Sequence, residues 1–326
     1  MIDMEKMLVS PSPHVHSATT TSRLMGDVCI ALLPALVVSV LFYGWAELLV
    51  IAVSAVSCVA IEWAITRYLF KKEGCFCGSA ALVTGLLLAM NLPSTTPWWI
   101  IVIGALFAIG VAKMPFGGLG QNIFNPAIAA RVFLLISFPQ QMTDWTLTPG
   151  FIHTTDAVSG ATLLGVFNEG GIQALQSLGY HTGISDLFYD MGGSAGEISD
   201  IALLLGFVYL LCRKVVKPWI TISIFATVAL VSGIFWLADP SVYTGPGFNL
   251  LTGGLILGAC FMATDYVTSP MSNWGGVIYG IGIGFIVMMI RYFGAYPEGV
   301  SFAILIMNMV TPLINRGFHR KKFGRA

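Results

Sequence analysis

The feature that most constrains this chain is a series of ten apolar stretches, which together fill most of its 326 residues. A transmembrane helix needs about 20 predominantly apolar residues, and these stretches meet or approach that length. They occupy residues 24–43, 46–66, 78–92, 98–113, 123–138, 199–212, 218–237, 249–264, 276–293 and 299–315. We therefore predict an all-α polytopic membrane protein with about ten transmembrane helices.

Composition supports this class, because 56% of the residues are hydrophobic and only 10% are charged. So few charges exclude a soluble globular enzyme. The stretches 78–92, 98–113 and 199–212 are short and rich in Gly or Ala, so tilted, broken or re-entrant segments are the alternative there. The balanced charge, with 16 basic and 16 acidic residues, gives no sign of a nucleic-acid partner.

The positive charges predict the orientation in the membrane. With ten spans both termini share one side, and fourteen of the sixteen Lys and Arg residues fall on that side. They are Lys6, Arg23, Arg67, Lys71, Lys72, Lys113, Arg213, Lys214, Lys217, Arg316, Arg320, Lys321, Lys322 and Arg325. The exceptions, Arg131 and Arg291, lie within or at the end of an apolar stretch. The positive-inside rule therefore predicts that both termini are cytoplasmic.

The same pattern divides the chain into five parts. They are a cytoplasmic arm (1–22), a first five-helix half (23–139), an extracytoplasmic loop (140–197), a second five-helix half (198–315) and a basic tail (316–326). Residues 85–89 (Gly-Leu-Leu-Leu-Ala) align with 254–258 (Gly-Leu-Ile-Leu-Gly), and each run leads into a Thr/Ser/Pro turn. Five helices per half would make such copies an inverted repeat. Similarity of composition between small-residue helices is the alternative.

Three carboxylates lie near membrane depth and are candidates for an ion pathway: Glu62, Asp27 and Asp265. Each is close enough to an interface to be hydrated or paired instead, for example Glu62 with Arg67. Cysteines are scattered, and neither Cys75 with Cys77 nor His14 with His16 has the partners that a cluster or metal site needs. We therefore expect no metal site within this chain.

The long loop contains the run Asp156-Ala157-Val158-Ser159-Gly160-Ala161-Thr162. Thr162 follows three small residues, and we expect its hydroxyl to be accessible to a modifying enzyme. A solvated Ser/Thr/Gly loop is the alternative, since such tracts are common in loops.

This run resembles the flavin-attachment motif of one family of membrane proteins, the NqrB/RnfD family. The family contains the RnfD-type protein of the Rnf electron transport complex and the NqrB-type protein of the sodium-translocating NADH:quinone oxidoreductase. Similarity extends over most of the chain, and the short 22-residue arm favours the Rnf type. Further matches are the runs 12–14, 31–35, 117–122, 125–127 and 320–324, together with Met25.

The resemblance implies that Thr162 carries FMN through a phosphoester, with Asp156, Ser159, Gly160 and Ala161 completing the attachment motif. It also implies that Asn122 and Asn125 help to hold a non-covalent riboflavin, while capping of the fifth helix is the alternative for these amides. The implied function is electron transfer within a bacterial inner-membrane complex that couples ferredoxin and NAD to Na⁺ or H⁺ transport.

The resemblance also implies the partners. They are other membrane subunits, an outer FMN-bearing subunit, cytosolic ferredoxin and NAD modules, and a flavin transferase for maturation. The chain would be part of a translocating oxidoreductase and not catalytic alone. Two alternatives stay open: a component of the quinone-reducing relative, and a flavin-free secondary transporter that binds its substrate at the broken third and eighth helices.

Overall fold

Within the residues that the structure describes, the protein is a bundle of apolar helices with one minimal strand pairing. The computed structural model describes residues 20–71, 78–146, 159–177, 193–198 and 200–318. In the first half of the chain the α-helices are α1 (Thr21–Tyr43), α2 (Trp45–Ala64), α3 (Gly78–Ala89), α4 (Trp98–Leu106), α5 (Pro126–Ser137) and α6 (Pro139–Thr143). Strand β1 (Trp145–Thr146) pairs antiparallel with β2 (Ser159–Gly160).

The second half has the same helical character. Its helices are α7 (Leu163–Ser177), α8 (Asp200–Cys212), α9 (Pro218–Ala238), α10 (Pro246–Leu251), α11 (Leu255–Leu257), α12 (Asn273–Phe293) and α13 (Val300–Gly317). Three helices continue as π-helical turns: α2 through Ile65–Phe70, α4 through Phe107–Val111 and α11 through Gly258–Met262. A 3₁₀ turn spans Met114–Phe116.

The all-helical prediction is confirmed, while the count of ten spans stays a prediction. Six helices within the described residues are long and apolar enough to cross a membrane; three of them are Thr21–Tyr43, Trp45–Phe70 and Trp98–Phe116. The other three are Pro218–Ala238, Asn273–Phe293 and Val300–Gly317. The shorter apolar helices are α3, α5 and α8, of which α3 and α8 correspond to short stretches in the sequence. The repeat between the halves is likewise untested.

Two ends of the bundle can be distinguished by contacts. Where α1 ends, the Tyr43 hydroxyl donates to Gly193 O at 2.5 Å and so joins α1 to the long connection between α5 and α8. Where α1 begins, Asp27 accepts from Arg213 at the end of α8. We call the first of these the loop end of the bundle and the second the opposite end.

Glycines let neighbouring helices approach closely. Gly206 of α8 faces Ala31 of α1, where an added Cβ would collide with the Ala31 carbonyl oxygen. Gly280 and Gly284 of α12 face α9 in the same way, with an added Cβ at 2.7 Å from Ile220 O and 3.0 Å from Ile224 O. Close packing of backbones is a main source of helix association in lipid.

The apolar stretch at 249–264 is discontinuous. Gly253 and Gly254 both have positive φ, 72° and 59°, and separate α10 from α11. An added Cβ at Gly253 would collide with Leu164 Cδ1 and lie 2.9 Å from Arg291 Nη2. Glycine is therefore required there both by the backbone conformation and by the packing. The break leaves carbonyl groups at the end of α10 that need hydrogen-bond donors.

Candidate functional site

Thr162 lies at the start of α7, in the cap position. Its hydroxyl accepts from Gly165 N at 3.2 Å, and its carbonyl accepts from Val166 N at 2.9 Å. The helix runs regularly until Gly171, where φ is 64° and ψ is −161°. A phosphate esterified to this hydroxyl would lie at a helix N-terminus, where free N–H groups and the helix dipole favour an anion. The local geometry therefore fits a phosphoester.

The start of α7 is packed onto α10. Leu163, Leu164 and Leu175 form a buried cluster with Phe248 of α10. The Thr162 side chain is only 6% exposed, so the expectation of an accessible hydroxyl is wrong for this conformation. The sequence motif suggests an open loop, but the leucines that follow it bury the threonine beside them.

The rest of the attachment motif is described only in part. Gly160 pairs with Trp145 across the β1–β2 ladder, and Ser159 pairs with Thr146. Ala161 is exposed and leads directly to Thr162. Asp156 lies outside the described residues, so its predicted role is not addressed by the structure.

A cavity of about 90 Å³ lies at the opposite end. Its wall is mainly apolar and comes from α1, α3, α8 and the residues that follow the π-helical turn of α11. The polar lining residues are Thr84, Lys113, Asn122, Asn125, Thr264, Asp265 and Tyr266.

The two predicted amides have different surroundings in this cavity. Asn125 is the N-cap of α5: its Oδ1 accepts from Ala127 N at 3.1 Å and Ile128 N at 3.4 Å, and its Nδ2 donates to Met262 O at 3.2 Å. Asn122 donates to Phe124 O at 2.9 Å, and no donor among the described residues reaches its Oδ1. Capping therefore accounts for Asn125, while Asn122 retains an acceptor for a ligand.

The three predicted ion-pathway acids all lie at this opposite end. Glu62 pairs with Lys113 at 2.5 Å, with both side chains 3% exposed, so its observed partner is not the neighbour Arg67 that the sequence suggested. Asp27 accepts from Tyr209 at 3.2 Å and pairs with Arg213 at 3.4 Å. Asp265 lines the cavity and accepts from Thr268, and burial raises the pKa of its carboxyl group.

At the loop end, two buried arginines donate hydrogen bonds to main-chain carbonyl groups near the ends of helices. Arg291 donates to Asn249 O at 2.5 Å and to Thr252 O at 2.7 Å, at the break after α10. Arg131 donates to Asn91 O, beyond the end of α3, and its guanidinium lies 5.7 Å from the centre of the Trp145 ring. A cation at a helix C-terminus interacts favourably with the helix dipole.

Two carboxyl groups complete this cluster. Glu298 Oε2 pairs with Arg131 Nη2 at 2.6 Å, and the buried Glu197 carboxyl interacts electrostatically with Glu298 and Arg131. Ser194 Oγ donates to Glu197 Oε1 at 2.6 Å. Burial, followed by the neighbouring Glu298, raises the pKa of Glu197 well above its ordinary value. We name Arg131, Arg291, Glu197 and Glu298 the loop-end charge cluster.

No role for this cluster is predicted from the sequence. Arg131 and Arg291 stand out as exceptions to the positive-charge pattern, and a charge inside an apolar stretch is itself a signal of function. Glu47, a fully buried carboxylate in the first turn of α2, carries the same signal. Glu298 has none, because it lies in a short connection between two helices.

Apolar helices, a broken helix and charges buried between them define a polytopic membrane protein. The chain belongs to the NQR2, RnfD, RnfE family, whose model matches residues 8–324. The resemblance to the Rnf type is thereby confirmed, and the chain is an RnfD-type protein.

Curated relatives cover nearly the full length. The chain is 43% identical to the D subunit of the Na(+)-translocating ferredoxin:NAD(+) oxidoreductase complex of Acetobacterium woodii, over 98% of this chain and 95% of that protein. It is 40% identical to the D subunit of the ion-translocating oxidoreductase complex of Stutzerimonas stutzeri, over 94% and 93%. It is also 40% identical to the D subunit of the proton-translocating ferredoxin:NAD(+) oxidoreductase complex of Clostridium ljungdahlii, over 97% and 96%.

Proposed function

We propose that this chain is the flavin-bearing membrane component of an ion-translocating ferredoxin:NAD oxidoreductase. Its full-length similarity to three D subunits supports the proposal that it belongs to such a complex and takes part in the oxidoreductase activity of that complex. One of these relatives is named for Na⁺ translocation and another for proton translocation, and their sequence identities to this chain are similar. Overall similarity therefore does not show which ion is transported. The chain acts with other subunits, including cytosolic modules for ferredoxin and NAD and an outer FMN-bearing subunit.

Thr162 is the proposed attachment point of FMN, and its place at the start of α7 is the observation that carries this proposal. An FMN phosphoester there would accept hydrogen bonds from N–H groups in the first turn of the helix. Gly165 adds no side chain beside the hydroxyl. When bound, the flavin supplies one-electron transfer, while the protein sets its position and surroundings. The first turn of α7, with Gly165 N, would hold the phosphate, while Leu163 and Leu164 pack α7 against α10.

The burial of Thr162 has a consequence for maturation. A transferase must reach the hydroxyl of Thr162, a residue that is buried while α7 packs on α10. We therefore infer that the flavin is attached before α7 docks, or during an excursion of α7 away from Phe248. Asp156, Ser159, Gly160 and Ala161 are the proposed recognition segment.

Riboflavin is the second proposed cofactor, in the cavity at the opposite end. The largely apolar wall suits an aromatic ring system, and Asn122 Oδ1 is available to accept from a ring N–H group. Asn125 shapes the cavity by capping α5 and by binding Met262 O. Two flavins at opposite ends of one bundle would place redox groups near both membrane surfaces.

The proposed orientation puts both termini and the cavity on the cytoplasmic side and Thr162 outside. Positive charges support it, because Arg213 and Lys113 lie at the opposite end together with the start of α1. The exceptions Arg131 and Arg291 are consistent, since both are buried and bind carbonyl groups of the protein. In this orientation the candidate ion-pathway residues lie on the cytoplasmic side; they are Glu62, Asp27 and Asp265.

The test is flavin fluorescence on a denaturing gel of the chain purified from cells that contain the transferase. We expect a fluorescent band for the wild type and for Ser177→Ala, a control in the last turn of α7. Thr162→Ala should give a dark band with unchanged yield. A dark wild-type band, or a Thr162→Ala band that stays fluorescent, would overturn the attachment site.

The same material separates the two alternative functions. A flavin-free secondary transporter would give an intact mass equal to the bare polypeptide. A quinone-reducing complex would copurify with a different set of cytosolic subunits, which mass spectrometry of the partners identifies. The matched family includes the quinone-reducing type, so the partners decide between the two redox functions.

A further inference from the structure

Glu47 is a membrane-embedded acid that belongs neither to the proposed flavin sites nor to the candidate ion-pathway residues. It lies in the first turn of α2, at the loop end, because α2 begins directly after the end of α1. The residue is fully buried, with 0% of its surface exposed. Both carboxylate oxygens are buried, and neither has a hydrogen-bond partner among the described residues. A buried polar group in that state needs a compensating contact or a change of charge.

The start of the helix does not supply the missing donor. In a capping box the third residue of a helix, here Glu47, accepts from the main-chain N–H of the N-cap residue. The N-cap of α2 is Gly44, whose N–H donates to Val40 O at 2.8 Å instead. The positive end of the helix dipole favours an anion in the first turn, but this effect is smaller than the cost of taking a carboxylate out of water.

The helices around α2 bring no counter-charge to Glu47. α2 packs mainly against α3, α4 and the π-helical turn that follows α4. Residues 78–112, which contain these three elements, include no ionisable side chain. The remaining neighbour is α1, whose ionisable residues near its start, at the opposite end, are Arg23, Asp27 and Cys29. Its last residue, Tyr43, donates its hydroxyl to Gly193 O.

The basic side chains described at the loop end are already engaged. Arg131 donates to a main-chain carbonyl beyond the end of α3 and pairs with Glu298 at 2.6 Å. Arg291 donates to main-chain carbonyls at the break after α10. Glu197, in the connection that reaches the end of α1, is itself an acid. An ionised Glu47 would therefore be a buried anion without compensation.

Glu62 provides the contrast, because it is a compensated acid on the same helix. The buried residues of α2 recur at helical spacing along one face, and they are Glu47, Val50, Ser54, Cys58 and Glu62. At the far end of this face, Glu62 pairs with Lys113 at 2.5 Å. Between the two acids, Ser54 donates to Gly85 O at 2.8 Å. One buried face thus has a paired acid at one end and an unpaired acid at the other.

We propose that Glu47 is a proton-binding site at the loop end, and that its carboxyl group carries a proton in this conformation. Protonation removes the uncompensated charge and turns one carboxylate oxygen into a donor, so no basic partner is needed. Release of the proton requires that water or a cation reaches the buried carboxylate, because the surrounding helices offer neither charge nor donor. The site involves no flavin, so it goes beyond the proposed function and does not rest on it.

The proposal fixes the sign of a pH dependence. A glutamate in an unfolded chain releases its proton at about pH 4.3, whereas the folded protein retains the proton on Glu47. Above that pH the folded state binds one proton more than the unfolded state, so stability falls as the pH rises. This contribution is fully present at acidic pH and is lost once the folded carboxyl group ionises. Glu47→Gln cannot ionise and therefore lacks it.

Infrared spectroscopy tests the proton directly. The wild-type complex and its Glu47→Gln variant are purified in detergent, and the C=O stretching bands of protonated carboxyl groups are compared at neutral pH. We expect Glu47→Gln to lose one such band. The controls are Glu62→Gln, which removes an acid paired with Lys113, and Glu169→Gln, which changes an exposed acid of α7; both should keep it. An unchanged spectrum of Glu47→Gln in this region would overturn the proposal.

Thermal unfolding of the same complexes gives the second readout. The melting temperature of the wild type should fall more steeply between acidic and alkaline pH than that of Glu47→Gln. The variant should therefore match the wild type at acidic pH and exceed it at alkaline pH. Equal slopes, or a variant that is less stable at every pH, would mean that the fold requires the ionised carboxylate. A Glu47→Gln chain that fails to assemble would contradict the proposal for the same reason.

Discussion

The two ends of this bundle treat buried charge differently. At the opposite end two of the three acids have one basic partner each, Glu62 with Lys113 and Asp27 with Arg213, beside a cavity that opens to solvent. At the loop end, arginines bind main-chain carbonyls where α3 and α10 end, and Glu298 pairs with one of them, Arg131. Helices that stop inside the protein create carbonyl acceptors, and cations placed there become structural.

This contrast in charge pairing shows that one chain can contain two kinds of site. At the opposite end, paired charges lie beside a cavity in which one acceptor, Asn122 Oδ1, is left for a ligand. At the loop end, cations that donate to main-chain carbonyls hold together the segments where helices stop. Substitutions that disturb one end at a time test this contrast, and their expected effects on stability differ in size.

The Glu62–Lys113 pair should show the largest effect. Lys113→Met leaves the Glu62 carboxylate buried without its partner, which costs about 3–5 kcal/mol in other proteins. Denaturant unfolding in detergent micelles measures the loss. The double variant with Glu62→Gln should recover much of it, because no uncompensated charge then remains. A single variant as stable as the wild type would mean that the pair is hydrated and unimportant.

Gly253→Ala tests the packing of the loop end. The substitution forces alanine to adopt a φ of 72° and pushes its Cβ into Leu164 and Arg291. Left-handed strain and overpacking together should cost about 2–5 kcal/mol in the same unfolding assay. Gly245→Ala is the matched control, since nothing lies within 4 Å of its added Cβ and its φ is −67°. Equal effects of the two substitutions would contradict the assigned contact.

Tyr43→Phe tests the attachment of the long connection to α1. The variant removes the hydroxyl that donates to Gly193 O, and it leaves a buried carbonyl without that donor. A loss of about 1–3 kcal/mol is expected. Limited proteolysis should also cut the connection faster. The exposed residue Tyr296, changed to Phe, provides the control. Unchanged proteolysis would show that this bond does not hold the connection.

Substitutions of the two cavity amides should distinguish helix capping from ligand binding, and we expect them to have the smallest effect on stability. Asn125→Ala removes the N-cap of α5 and should cost about 0.5–2 kcal/mol. Asn122→Ala should leave stability nearly unchanged but lower the amount of non-covalent flavin that is released when the complex is denatured. Fluorescence of the released fraction measures it. The reverse assignment of effects would exchange the roles of the two amides.

Much of the fold follows from the order of apolar residues. The helices α1, α2, α9, α12 and α13 coincide with long apolar stretches, because lipid leaves the backbone no alternative to internal hydrogen bonds. Hydropathy does not locate the interruption at Gly253 and Gly254, since glycines between leucines leave an apolar window almost unchanged. The burial of Thr162 is missed for a similar reason: its motif is polar, and its neighbour Leu164 is held by Phe248 of a distant helix.

Part of the candidate site could be predicted from the sequence. Asn125 as an N-cap follows from an Asn-Pro pair before an apolar run, and both amides line the cavity. The partner of Glu62 was not predictable, because Lys113 is 51 residues away and the adjacent Arg67 matched equally well in charge. Proximity along the chain is a weak guide once helices pack side by side.

A membrane-embedded helical chain, its family and the motif that ends at Thr162 could all be predicted from the amino-acid sequence. Apolar length and short motifs are local properties, so they need no knowledge of neighbours in space. The meeting of Arg131, Arg291, Glu197 and Glu298 at one end became visible only in the folded chain. Their contacts join segments up to 167 residues apart, and such contacts depend on how helices pack and where they break.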